Sequence, residues 1–175
     1  MVNKKGEVIS SAVTNLDLHD ISRAARTFGV GRFFVVTPLA DQRRLVEKII
    51  SHWQHGAGAT YNPDRREALA TICVAHCLDE VLQRLDREAG QRPAVVATTC
   101  RRHVGCIDVI SVRQMLKAGR PLLLLFGTAW GLAPQLLENT DFVLEPVEGP
   151  TAYNHLSVRS AAAIILDRLL ATPVA

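Results

Sequence analysis

No apolar run in this chain of 175 residues approaches the roughly 18 that a membrane-crossing helix requires, and Asp167 and Arg168 interrupt the greasiest stretch near its end. No membrane contact is expected. No secretory leader is expected either, because residues 1–6 are polar and no apolar core follows them. The four cysteines, Cys73, Cys77, Cys100 and Cys106, are therefore expected as free thiols in a reduced, cytoplasmic protein. Repeats, low-complexity tracts and linker-like stretches are also lacking. With 48% hydrophobic and 21% charged residues, the chain can bury one core and is short for two, so one domain over residues 1–175 is expected. There is no phosphate-binding P-loop. Gly29-Val30-Gly31 stands where a helix leads into a strand, the reverse of a dinucleotide fingerprint, so nothing supports a nicotinamide- or nucleotide-dependent enzyme.

What is present is an alternation of strand-like and helix-like segments. A strand is predicted over residues 7–13, a helix from Asn15-Leu16-Asp17 to Phe28, and a strand over 32–37 that Pro38 stops. Asp41 can cap a helix with Leu45, Ile49 and Trp53 on one face, followed by a loop at residues 55–58. Residues 61–63 then open a long helix, with Leu69, Ile72, His76, Leu82 and Leu85 facing inward, that closes near Gly90. Strands follow at 94–98, 122–126 and 141–144, with a helix at 112–118 and a short one before the last strand. Asn154 or Ser157 caps a terminal helix that is apolar nearly all round. Such alternation predicts an α/β fold, a mostly parallel sheet with helices on both faces.

Parallel α/β sheets bind ligands beyond the carboxyl ends of their strands. Here those ends carry small, polar or turn-forming residues: Thr98 and Thr99, then Gly127-Thr128-Ala129-Trp130-Gly131, then Glu145-Pro146-Val147-Glu148-Gly149.

Three stretches in order, FGTAWGL, FVLEPVEG and YNHLSVRSAAAIILDRL, resemble the cofactor-binding half of the SPOUT (α/β-knot) RNA methyltransferases, in their SpoU-like branch. The likeness is greatest to a small stand-alone bacterial group. It implies a carboxyl-terminal trefoil knot and S-adenosylmethionine held by Thr98 and Thr99, by Leu125, Phe126, Gly127, Thr128, Trp130 and Gly131, by Leu144, Pro146, Val147 and Gly149, and by Tyr153, Asn154, His155, Leu156 and Ser157. It further implies methyl transfer to tRNA or rRNA, at a ribose 2′-oxygen or a base nitrogen, by a homodimer. In that dimer Leu156, Ala163 and Ile164 would pack on their own chain, and part of the remaining helix face would meet the helix from Asp17 to Phe28 or its own copy across a twofold.

Asp17-Leu18-His19-Asp20-Ile21-Ser22-Arg23, running on to Phe28-Gly29, is similar to the family's first motif, and places Arg23 beside the acceptor, with Asn154 and His155 completing the catalytic set. The sequence departs from that pattern in having Asp17 for asparagine, His19 for glycine and no glutamate within residues 127–131. Methyl transfer asks mainly for alignment, with a nearby group to take a proton; Asp17, His19 and His155 are the candidates. The alternative is a module of the same fold that binds RNA or a nucleotide without catalysis.

Arginine doublets at 43/44, 65/66 and 101/102 suit phosphate and equally suit solvated helix faces, with a net charge of only +3. His52 and His55 with Cys73, His76 and Cys77, or Cys100, His103 and Cys106, could be assembled into a zinc set. Cys73 and Cys77, one turn apart on the expected apolar helix, read instead as buried thiols, and no metal is expected.

Overall fold

The computed structural model describes residues 1–172; residues 173–175, the end of the expected domain, lie outside the described residues. Contacts gather into two compact units, Ala12–Val81 and Met1–Ser11 with the chain from Leu82 onward.

In the first unit, α1 (Asn15–Thr27) starts where the Thr14 hydroxyl accepts the amide of Asp17, and stops at Gly29, whose φ of +72° suits a residue without a Cβ. After it come β1 (Phe33–Val36), α2 (Ala40–His55), α3 (Ala57–Tyr61), α4 (Pro63–Leu69), β2 (Ile72–Ala75) and the start of α5 (Leu78–Ala89). β1 and β2 pair in parallel, Phe33 opposite Ile72 and Val36 opposite Ala75. Leu18, Val35, Val46, Leu69 and Ile72 form the core, with Trp53 packed against it.

Three expectations fail in this part of the chain. No long helix runs from 61 to 90: α4 ends at Leu69, the Thr71 hydroxyl donates to the carbonyl of Ala68, and Ile72-Cys73-Val74-Ala75 becomes a strand. Leu69 and Ile72 do share a core, but through a turn and a strand, so helical spacing was met without a helix. Cys73 thus lies on β2 and exposed Cys77 beyond its end, not on one helix. Residues 56–58, expected as loop, lead into α3. The strand predicted at 7–13 reduces to a single antiparallel bridge between Val2 and Val8, closed by a turn in which the side chain of Asn3 accepts the amides of Lys5 and Glu7.

The second unit holds β3 (Ala94–Ala97), α6 (Val109–Lys117), β4 (Leu122–Leu125), α7 (Pro134–Glu138), β5 (Phe142–Val143) and α8 (Val158–Leu170). Its sheet has the order β4-β3-β5, all parallel, with β3 wholly buried in the middle. The expected single sheet is therefore two parallel sheets of two and three strands, since no strand forms at 7–13 and none among the described residues joins them. Val96, Val112, Leu144, Ile165 and Leu169 make the core. Ser157 caps α8 by accepting the amide of Ser160 at 3.2 Å, and α8 buries Ala162, Ile165, Leu166 and Leu169. The inward face is thus the opposite of the expected one: Ala163 and Ile164 are half-buried, and Leu156 precedes the helix and is 43% exposed. No helix among the described residues is long and apolar enough to cross a membrane.

Candidate cofactor site

Backbone pairing in the β4-β3-β5 sheet sets the starting points of its loops. Beyond the end of β3, Thr98 donates both its amide (3.0 Å) and its hydroxyl (2.8 Å) to the carbonyl of Leu125, the last residue of β4. On the other side the amide of Leu144 reaches the carbonyl of Ala97 at 2.8 Å. The chain leaving β3, β4 and β5 therefore leaves side by side.

The loop after β4 doubles back on itself. A Cβ on Gly127 would stand 2.8 Å from the amide nitrogen of Leu132 and 2.9 Å from the carbonyl carbon of Gly131, so only glycine fits there. Ala129 and Gly131 have φ of +54° and +101°, and the Gly131 amide closes the turn on the carbonyl of Thr128 at 3.0 Å. The amino-terminal segment holds this loop from outside. Val2 donates to Gly131 (3.1 Å) and accepts from Trp130 (3.2 Å), and the Met1 thioether lies 3.0 Å from the Thr128 amide and 2.8 Å from its hydroxyl. The hydroxyl of Ser11 meets that of Thr128 at 2.5 Å.

The loop after β5 is pinned by Ile107, whose amide donates to Val143 (2.8 Å) and whose carbonyl accepts from Glu145 (2.9 Å). Leu144 and Pro146 are buried, Val147 packs on the core, and Gly149 is exposed. Arg102, beyond β3, donates to Glu148 at 2.7 Å, which keeps the Glu148 carboxyl below its ordinary range and raises Arg102 above its own. Asn154 Nδ2 donates to the carbonyl of Cys100 at 3.1 Å. Tyr153 and His155 stand edge to face, ring centroids 6.5 Å apart, both exposed. Thr99 accepts the amide of Arg101 through its hydroxyl at 3.1 Å.

All the residues expected to hold the cofactor thus belong to one unit, on or beside loops that its sheet sets in register. Leu125, Phe126 and Val147, all half-buried, offer apolar surface of the kind a purine needs, and the tight turns expose main chain beside it. On these grounds the residues fit S-adenosylmethionine.

Arg23 belongs to the other unit. It is exposed on α1 and lines a cavity of about 280 Å³. Asp17 is engaged at the start of α1, its carboxylate accepting the Thr14 hydroxyl at 2.5 Å. His19 is half-buried, edge-on to Trp53 at 5.3 Å, and burial, helped by Arg65 and Arg23 against Asp20, keeps its imidazole below the ordinary value. Among the described residues no three His, Cys, Asp or Glu side chains gather as a metal site. Sequence reasoning missed Met1, Val2 and Ser11 as supports of the loop, and nothing in their residue types signals that role. The opposite charges of Arg102 and Glu148, each just beyond a strand end, were a legible signal.

A family model described as SAM-dependent RNA methyltransferase matches residues 1–171, and the chain belongs to that family. A relative from Oleidesulfovibrio alaskensis, named tRNA (guanine-N(1)-)-methyltransferase, is 46% identical over 97% of this chain and 40% of its own length. The chain spans about two fifths of that relative. An uncharacterized protein of Aquifex aeolicus is 38% identical over 96% of this chain and 82% of its own. In structure, the chain resembles the SpoU methyltransferase AviRb from Streptomyces viridochromogenes, solved in complex with AdoMet, with a TM-score of 0.57 and 20% identity over 95% of this chain and 62% of the other. The resemblance in fold to SPOUT enzymes that the motifs implied therefore holds.

Proposed function

We propose that the chain transfers the methyl group of S-adenosylmethionine to RNA, with tRNA as the acceptor and a base nitrogen or ribose oxygen as the target. The observation that carries this is the register of the strand-end loops: Thr98 tied to Leu125, Leu144 to Ala97, and Asn154 to Cys100. Membership of the methyltransferase family and the name of the 46% identical relative support the same reading.

In this reading the cofactor supplies an already activated methyl group, and the protein aligns the acceptor and excludes water. Leu125, Phe126, Gly127, Thr128, Trp130 and Gly131 would hold the cofactor together with Leu144, Pro146, Val147 and Gly149. Thr98, Thr99, Tyr153, Asn154, His155, Leu156 and Ser157 would complete the set. Arg23 orients the acceptor or offsets its developing negative charge, and His155 takes the proton. The trefoil knot, the single domain and a homodimer that brings Arg23 of one copy to the loops of the other belong to the same proposal.

Calorimetry with S-adenosylmethionine and S-adenosylhomocysteine, followed by single-turnover methyl transfer to unmodified tRNA, tests it. Heat with both cofactors and label in tRNA are expected. No heat with either overturns it, and heat without transfer leaves a binding module.

A further inference from the structure

The unit Ala12–Val81 contains a cluster that the cofactor loops do not use. Trp53, on α2, carries the guanidinium of Arg65 over its ring at 4.9 Å and meets the edges of His19 at 5.3 Å and His52 at 5.5 Å. Two side-chain nitrogens among the described residues are buried without a hydrogen-bond partner, His19 Nδ1 and Arg65 Nε, and both belong to this one cluster. Buried polar groups are ordinarily paired, so orphans at one spot point to a ligand or an ordered water.

The adjacent cavity, about 280 Å³, is lined by Arg23, Arg26, Asn62, Asp64, Arg65 and Glu67 among others. Its charges are not balanced. Arg26 is spent on an ion pair with Glu67, whereas Arg23 makes no hydrogen bond or ion pair among the described residues. Asp64 is then the one remaining carboxylate facing Arg23 and Arg65, which leaves a positive excess. Arg65 rests over the Trp53 ring, so its guanidinium is positioned before any ligand arrives. Asn62 is fixed as well, because its Oδ1 accepts the Arg65 amide at 2.9 Å.

We propose that this cavity binds a phosphate group of the acceptor RNA's backbone, with Arg65 as its oriented donor and Arg23 as the second cation. Phosphate fits this donor set better than carboxylate does, because a tetrahedral group can accept from two guanidinium forks at once. The cavity has room for the sugar attached to that phosphate. This assignment rests on RNA being the acceptor. It adds Arg65, held against Trp53, to Arg23, which the first motif already placed beside the acceptor.

The test uses the full chain in three arms. In the first, NMR follows the His19 ring during titration with inorganic phosphate. Occupancy is expected to raise the pH at which that ring titrates, because a neighbouring anion favours the imidazolium. In the second, tRNA affinity is measured against salt for the parent chain, Arg65→Gln and Arg23→Gln. Each variant is expected to lose about tenfold in affinity and to reduce the slope of log affinity on log salt by about 1, as loss of one phosphate contact requires. A merely structural Arg65 would not change that slope. Arg23→Gln, at an exposed position, covers the case in which Arg65→Gln fails to fold.

The third arm measures S-adenosylmethionine binding in parallel. If the parent chain binds tRNA and cofactor but both variants keep the parental slope, the pocket assignment is overturned and the methyltransferase reading stands. If phosphate moves the His19 ring but tRNA affinity is unchanged in both variants, the site takes a free phosphate and the RNA assignment is overturned. If the parent binds neither tRNA nor cofactor, the functional reading falls first and takes this one with it.

Discussion

Asn154 donates its side-chain amide to the carbonyl oxygen of Cys100 across 3.1 Å, joining residues 54 positions apart. The bond fastens the stretch before α8 to the loop that follows β3. Together with Arg102 and Glu148 it makes two cross-links from the first strand-end loop to the segments beyond β5. Asn154→Ala is expected to loosen the segment at residues 150–157. One such hydrogen bond is worth about 1 kcal/mol net, so S-adenosylmethionine affinity should fall about fivefold while the thermal midpoint moves little. Calorimetry and thermal unfolding on the same sample check both halves.

Gly127→Val should abolish cofactor binding. The cause differs from simple filling of a ligand space: the added Cβ runs into the main chain at Gly131 and Leu132, so the loop must open. Gly131→Ala offers a contrast, since nothing lies within 4 Å of its Cβ position and only the φ of +101° is unfavourable. It should weaken binding by a lesser amount, through about 1 kcal/mol of backbone strain. Equal effects in the two calorimetric titrations would contradict this account of the loop.

Arg23→Ala should leave cofactor affinity intact and lower the single-turnover rate of methyl transfer by one to two orders of magnitude, on the order of an interaction made chiefly in the transition state. Unchanged turnover would remove Arg23 from the catalytic set.

The Arg102–Glu148 pair predicts an acid sensitivity with a definite sign. Hydrogen bonding to Arg102 lowers the folded-state value of Glu148 below its ordinary 4.5. Its contribution to holding the loops is therefore present above about that pH and is lost as pH falls through the lowered folded value. Both groups are largely exposed, so the effect is small and screened by salt. In Glu148→Gln this part of the pH dependence should vanish, as followed by the intrinsic fluorescence of Trp130 between neutral and acid pH.

A homodimer is expected from light scattering at micromolar concentration, with loss of transfer activity on dilution to monomer. A monomer that keeps full activity would sever Arg23 from any role at a second copy's loops.

How far the sequence revealed this molecule depends on where each element's partners lie. β4 was legible because four consecutive leucines end at a glycine loop, and α8 because Ser157 stands where a cap must. The strand-end loops were legible for the same reason, glycine and proline being the residues that force the chain to turn. β2 was not, because Leu69 and Ile72 match helical spacing and the pairing that makes Ile72 a strand residue comes from Phe33, far away in sequence. Residues 7–13 have strand-like composition but find no strand partner, and residues 2 and 11 instead support residues 128–131. The Trp53 cluster had no local signature, since His19, Trp53 and Arg65 come from three helices.

The bond from Asn154 has one more use, because the residue that accepts it carries an exposed thiol. A small fluorophore on Cys100 would sit at the bond between two strand-end loops, and its emission would respond to changes there without any introduced cysteine. Cys77, the other exposed thiol, lies in the other unit and would need replacement by serine for the label to be specific. Labelled in that way, the protein could act as its own sensor for S-adenosylmethionine if it binds at these loops as proposed, in a format suited to screening cofactor analogues.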